Sequence, residues 1–264
     1  MSEKSKTSDE TSAPDKKAER GERIAKVMGR LGLCSRRDAE KLIIDGRVTV
    51  NGVKITKPAT FVKPEDNISV DGAITPRKAP PRLFLYHKPP GLITTAKDPQ
   101  GRPTVFDILP KNLPRLISVG RLDINSEGLL LLTNDGELSR ALELPATGLS
   151  RVYRVRVHGN VREDKIKRLE KGLTWKGVRY GPMKVALEKK QEGANVWMIV
   201  ELKEGKNREI RNVMEAVDLQ VNRLIRLSYG PFGLGKIPRG AMMEVKEDIL
   251  RTKLPKVVVA ELFD

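Results

Sequence analysis

Leu129, Leu130, Leu131 and Leu132 stand in an unbroken row between Gly128 and the turn-forming residues Asn134, Asp135 and Gly136. A run this short cannot cross a bilayer, which takes roughly 18 apolar residues or more. It reads instead as a buried strand. A second buried strand is expected just upstream in LISVG, residues 116–120, so that RLDINSE, residues 121–127, forms the loop between two apolar elements. Gly120 and Gly128 permit sharp backbone turns at the two ends of that loop. Asp123 is thereby displayed at the end of a rigid element, where lost hydration disfavours its charged form unless a cation lies close. An aspartate after a strand also often does no more than bond backbone amides, so the run by itself leaves two roles open.

The rest of residues 82–264 mixes short strands with helices. LFLYHKP, RVYRVRVHG, NVWMIVEL and NRLIRLSYG read as strands, and helical patterns fall at about 136–143, 162–171 and 207–217. This order predicts an α+β fold and not a wound parallel sheet. In RVYRVRV the period-two alternation puts Tyr153, Val155 and Val157 on the buried or cleft side and Val152, Arg154 and Arg156 on the other. In NREIRNVMEAV, Ile210, Val213, Met214 and Val217 share one helical face, with Arg211 at its border and able to reach inward.

Ahead of this region the texture differs. Residues 1–21 are polar and charged and are expected to form a disordered tail. Ile24, Val27, Met28 and Leu31 recur at helical spacing, and Ser35 is placed to cap a second helix carrying Ala39, Leu42 and Ile43. GRVTVNGVKI then reads as a hairpin around Asn51-Gly52, and ISVDG closes a small α+β unit. The expected organisation is a tail over 1–21, a small domain over 22–72, a linker over 73–81, a larger domain over 82–250 and a C-terminal tail over 251–264.

Fifty lysines and arginines against 34 acidic residues give a formal charge of +16, which points to a polyanionic partner. With no long apolar segment and no signal-peptide core, the chain is expected to be soluble, cytoplasmic and free of membrane contact. One cysteine, Cys34, excludes an internal disulfide, and two histidines, His87 and His158, are too few and too far apart for zinc. No metal or cofactor is expected.

Over residues 22–72 the stretch SRRDAEKLIIDGRVTVNG resembles S4-like RNA-binding domains, which implies that Arg36, Arg37 and Lys41 meet RNA phosphates. VGRLDINSEGLLLLTNDGEL resembles the catalytic signature of pseudouridine synthases of the RsuA/RluB branch. LSRVYRVRV and ELKEGKNREIRNVMEAVDLQVNRLIRLSYGPFGLGKIPRG agree with it, in family order. The resemblance implies a mixed, largely antiparallel sheet with a central cleft. It implies Asp123 as the catalytic carboxylate, Tyr153 against the flipped base, Arg211 as the partner of Asp123, and Arg121 in the space left when the uridine leaves its stack. The reaction implied turns uridine into pseudouridine with no cofactor.

Three departures from the family pattern stand at Ser126, where threonine is common, at Arg151, where lysine is frequent, and at Asn212, where a second arginine is frequent. The last two bear on RNA contacts. HKPPGLITTAKDPQGRPTVFDILPKNLP looks most like the large-subunit type, and its Lys88, Lys97, Arg102 and Lys111 read as a loop-rich surface suited to irregular RNA. The implied partner is a stem-loop of protein-free or partly assembled large-subunit ribosomal RNA, acted on by a monomer. Small-subunit RNA, or a non-catalytic role in ribosome assembly, remain the alternatives.

Overall fold

Seven leucine-rich positions, Glu127–Thr133, are all buried in a computed structural model of the chain. The structure describes residues 21–76, 79–144, 147–188, 194–254 and 256–263; residues 1–20 of the expected tail lie outside them. The chain divides into two units, Met1–Ala79 and Pro80–Asp264.

The first unit runs β1 (Glu22–Arg23), α1 (Ile24–Arg30), α2 (Arg36–Ile44), β2 (Val48–Val50), β3 (Val53–Ile55), β4 (Phe61–Val62), β5 (Ile68–Val70) and β6 (Ala73–Ile74). The Ser35 hydroxyl accepts the Asp38 amide at 3.1 Å and so caps α2. Asn51 and Gly52 both take positive φ, at 52° and 82°, as a tight two-residue hairpin between β2 and β3 requires. Ile24, Met28, Ala39, Ile43 and Val48 are fully buried and form this unit's own core.

The second unit runs β7 (Leu83–Lys88), β8 (Ile117–Val119), β9 (Glu127–Thr133), α3 (Gly136–Glu143), β10 (Arg151–His158), α4 (Glu163–Lys171), β11 (Leu173–Trp175), β12 (Val178–Tyr180), β13 (Lys184–Leu187), β14 (Asn195–Leu202), α5 (Glu209–Glu215), β15 (Gln220–Tyr229), β16 (Phe232–Gly233), β17 (Met242–Val245), α6 (Glu247–Lys253) and α7 (Lys256–Phe263). One sheet is ordered β13-β14-β10-β15-β9-β7-β17, with β16 on β15 and β8 on β9. Every pairing in it is antiparallel except β15 with β9, so the fold is mixed and largely antiparallel, as expected.

The leucine row has a direct cause. Leu129 and Leu131 enter one core, shared with Leu83, Leu85 and the C-terminal helices, while Leu130 and Leu132 enter another with Phe84 and Tyr86. A strand covered on both faces has no use for polar alternation. Each buried leucine contributes about 1.5–3 kcal/mol. β10 does alternate, because Val155 and Val157 face a core under α4 and α5 while Arg154 stacks at 4.2 Å over the Trp197 ring on the reverse face.

Two expected boundaries differ. Residues 73–81 are not a plain linker: Ala73 and Ile74 pair with β5, and the break falls between Ala79 and Pro80. Residues 251–264 are not a loose tail, because Leu254, Val258 and Leu262 are buried in the first core of the large unit. Val258, Val259, Leu262 and Phe263 supply the apolar face of α7.

Candidate active site

The loop from Gly120 to Ser126 is fastened by groups that are themselves immobile. Lys88, the last residue of β7, is fully buried, and its ammonium donates to the carbonyls of Pro89 (3.0 Å), Asp123 (3.2 Å), Ile124 (3.3 Å) and Ser126 (2.8 Å). Burial drives its pKa down to about 8, against the pull of Asp123 and Glu127. The Thr94 hydroxyl donates to the Leu122 carbonyl at 2.9 Å, and the Ser126 amide to the Asp123 carbonyl at 3.0 Å. Gly128 is required at the far end. With φ at 104°, a Cβ there would lie 2.6 Å from the Arg226 amide nitrogen, where β9 and β15 run parallel.

Asp123 projects from this loop into a cleft of about 630 Å³, also lined by Arg121, Tyr153, Arg208, Arg211 and Arg226. Its Oδ2 lies 3.7 Å from Arg211 Nε and 3.6 Å from Arg208 Nη1. Arg211 is mostly buried and donates from Nη1 to the Val221 carbonyl at 3.0 Å. Burial and the charge of Arg208 lower its pKa, while Asp123 opposes them. Arg211 therefore reaches inward from the edge of a helix face whose Ile210, Val213, Met214 and Val217 are all buried. Tyr153 is half-buried and pairs across the sheet with Arg226, which is itself buried and donates from Nε to the Leu129 carbonyl at 2.7 Å. Arg121 is exposed at the rim.

The four candidate residues of the larger unit thus share one cleft. Arg36, Arg37 and Lys41 are exposed on α2 of the other unit.

Several readings of single residues change. Lys88 is not a surface cation for RNA but the buried fastener of the Asp123 loop. Arg102 is held by Asp98, with bonds of 3.0 and 2.8 Å, whereas Lys97 and Lys111 are exposed. Arg151 is buried and donates to the Leu149 and Lys203 carbonyls at 2.9 and 2.5 Å and to the Tyr229 hydroxyl at 2.6 Å, so it braces the cleft wall. Asn212 donates to the Tyr180 hydroxyl at 2.8 Å.

Arg208 and Arg226 were not singled out by sequence reasoning. Arg208 stands one helical turn before Arg211, a spacing that could have found it. Arg226 sits two residues after Leu224 on the cleft parity of β15. A carboxyl pair also lines the cleft. Glu204 accepts from Lys206 Nζ at 2.7 Å, and Glu209 accepts from the Lys206 amide at 2.9 Å, its burial driving its pKa up to about 7.

An anionic oxygen among guanidinium groups, beside an aromatic ring and within a strongly basic chain, is suited to chemistry on a planar base carried by a polyanion. No helix among the described residues is long and apolar enough to cross a membrane. Such a fold and cleft suit an enzyme that works on RNA. Residues 82–216 match the RNA pseudouridylate synthase family and residues 22–68 the S4 domain, and the chain belongs to the RNA pseudouridine synthases, isomerases that act on RNA.

A Rickettsia felis protein named an uncharacterized RNA pseudouridine synthase is 49% identical over 229 residues, covering 87% of this chain and 99% of that protein. The ribosomal large subunit pseudouridine synthase B of Yersinia pestis is 43% identical over 235 residues, covering 85% of this chain and 73% of that protein. A crystal structure of a pseudouridylate synthase has the same fold, with a TM-score of 0.63 at 24% identity over 89% of this chain and all of that one.

Proposed function

We propose that this chain converts one uridine, or a very few, to pseudouridine in a stem-loop of large-subunit ribosomal RNA, with Asp123 as the reacting carboxylate. The observation that carries the reading is the seating of Asp123 Oδ2 between two guanidinium groups at 3.6 and 3.7 Å, on a loop whose backbone is tied to buried Lys88. A cationic neighbour keeps a carboxylate ionised where burial would protonate it, and only the ionised form is a nucleophile or a base.

The reaction breaks the bond from N1 to C1′, turns the uracil, and joins C5 to C1′, after which the C5 proton leaves to solvent and N1 takes up a proton, so that the product is an isomer of the substrate. Asp123 serves either by attacking the nucleoside or by taking a sugar proton, and both routes need the free anion. The target must leave its stack to expose C1′, and Arg121 at the rim is suited to fill the space it vacates. Tyr153 is placed to lie against the extruded base and Arg211 to hold the carboxylate. Arg36, Arg37 and Lys41 on α2 take RNA phosphates, which supply affinity without reading sequence.

The large-subunit target is supported by the name of the Yersinia pestis relative and by the DPQGRPTVFDILP segment. The enzyme acts in this reading as a monomer, on protein-free or partly assembled RNA in the cytoplasm, the substrate that still presents a free stem-loop. The test is a carbodiimide-based pseudouridine map of all ribosomal and transfer RNA from a strain lacking this protein. Loss of a signal in large-subunit RNA is expected; loss in small-subunit RNA would overturn the target, and no loss anywhere would overturn the function.

A further inference from the structure

The two arginines that meet at Asp123 Oδ2 are held very differently. Arg211 is mostly buried and pinned to the Val221 carbonyl. The Arg208 side chain is 53% exposed and makes no hydrogen bond among the described residues. Its 3.6 Å ion pair with Asp123 is of the exposed kind, which is weak and easily exchanged. A phosphate, accepting two parallel guanidinium bonds, is the stronger partner for such a group.

The backbone at Arg208 adds a second observation. It adopts the left-handed conformation, with φ of 49° and ψ of 29°. Among the described non-glycine residues with positive φ, Asn51, Asp71 and Asp218 belong to residue types that tolerate it, and Lys176 precedes Gly177 in the β11–β12 hairpin. Arg208 instead stands immediately ahead of α5 and lines the cleft, with a long side chain in a conformation that favours glycine or asparagine. Strain of this sort at a site points to a use for the side chain.

We infer that Arg208 is an exchanging arginine: in the free enzyme it covers Asp123, and on RNA entry it turns to a phosphate beside the extruded uridine, leaving the carboxylate with Arg211 alone. The inference rests on Asp123 being the reacting group. A carboxylate between two cations is a poor nucleophile, and withdrawal of the mobile cation by the substrate's own phosphate activates it only when RNA is bound. Arg211, whose charged form is disfavoured first by burial and then by Arg208, is relieved of the second by the same exchange.

The test uses the full chain with Arg208→Gly and Arg208→Asn, both of which fit the backbone, beside wild type and Asp123→Asn. The substrate is C5-tritiated ribosomal RNA from a strain lacking the protein. Each arginine variant is expected to lose about tenfold in kcat/KM, mostly through KM, and the slope of log affinity against log salt should fall by about 0.7–0.9, the signature of one lost phosphate contact. Melting temperatures of both variants should equal or exceed that of wild type. An unchanged salt slope, a loss confined to kcat, or a fall in melting temperature in both variants would overturn the exchange. Inactive wild type, or active Asp123→Asn, would instead remove the underlying assignment of Asp123.

Discussion

Lys88 Nζ lies 3.2 Å from the backbone carbonyl oxygen of Asp123, so a fully buried cation fixes the residue proposed to react without touching its carboxylate. The same ammonium also holds the carbonyls of Ile124 and Ser126. Lys88→Met is expected to leave these acceptors unpaired, lowering stability by about 1–3 kcal/mol and reducing turnover more than RNA affinity. Because burial depresses the native pKa to about 8 from 10.5, the unfolded state binds more protons between those values. Wild-type stability should therefore gain on Lys88→Met as pH rises through that window, measured by denaturant unfolding at pH 7, 8, 9 and 10. A stability difference independent of pH would contradict the assignment.

Glu209 gives a pH dependence of opposite sense. Its native pKa stands near 7, raised from 4.5 by burial, so the native state binds more protons over that range. Stability should fall as pH rises from about 4.5 to 7, and Glu209→Gln should flatten this fall and be the more stable form at pH 8. Parallel urea titrations of the two proteins check it; curves that stay parallel across the range would exclude Glu209 as the cause.

On α2, replacing Arg36, Arg37 and Lys41 together by glutamine is expected to weaken RNA binding and to lower the salt slope by about 2–3, since three phosphate contacts and their counterions go. Filter binding between 50 and 300 mM salt reads the slope. A variant with the wild-type slope would show that these residues face away from RNA.

The legible parts of the molecule were those where one residue type does one job. The leucine row announced a buried strand, though not that it is covered on both faces. Ser35, Asn51 and Gly52 announced a cap and a hairpin, and the helical spacing around Ile210 placed Arg211 at the edge of a buried face. What stayed hidden depends on partners distant in the chain. Lys88 reads as one more cation among prolines, because the carbonyls that surround it lie 35 or more residues away in all but one case. The spacing of Arg208 from Arg211 is legible, but its left-handed backbone, which arginine seldom takes, is not. The C-terminal helices stay hidden because their apolar residues gain a face only within a core built from distant parts of the chain, α3 among them.

The central claim is that Asp123 is the group that reacts. Asparagine keeps its shape and its backbone ties to Lys88 but is neither a nucleophile nor a base. The direct measurement is tritium release from C5-labelled, unmodified ribosomal RNA by purified wild type and Asp123→Asn, with RNA affinity and melting temperature recorded on the same preparations. The account predicts release by wild type, and in the variant a rate lower by more than about 10³-fold with affinity and melting temperature nearly unchanged. Appreciable turnover by Asp123→Asn would contradict it.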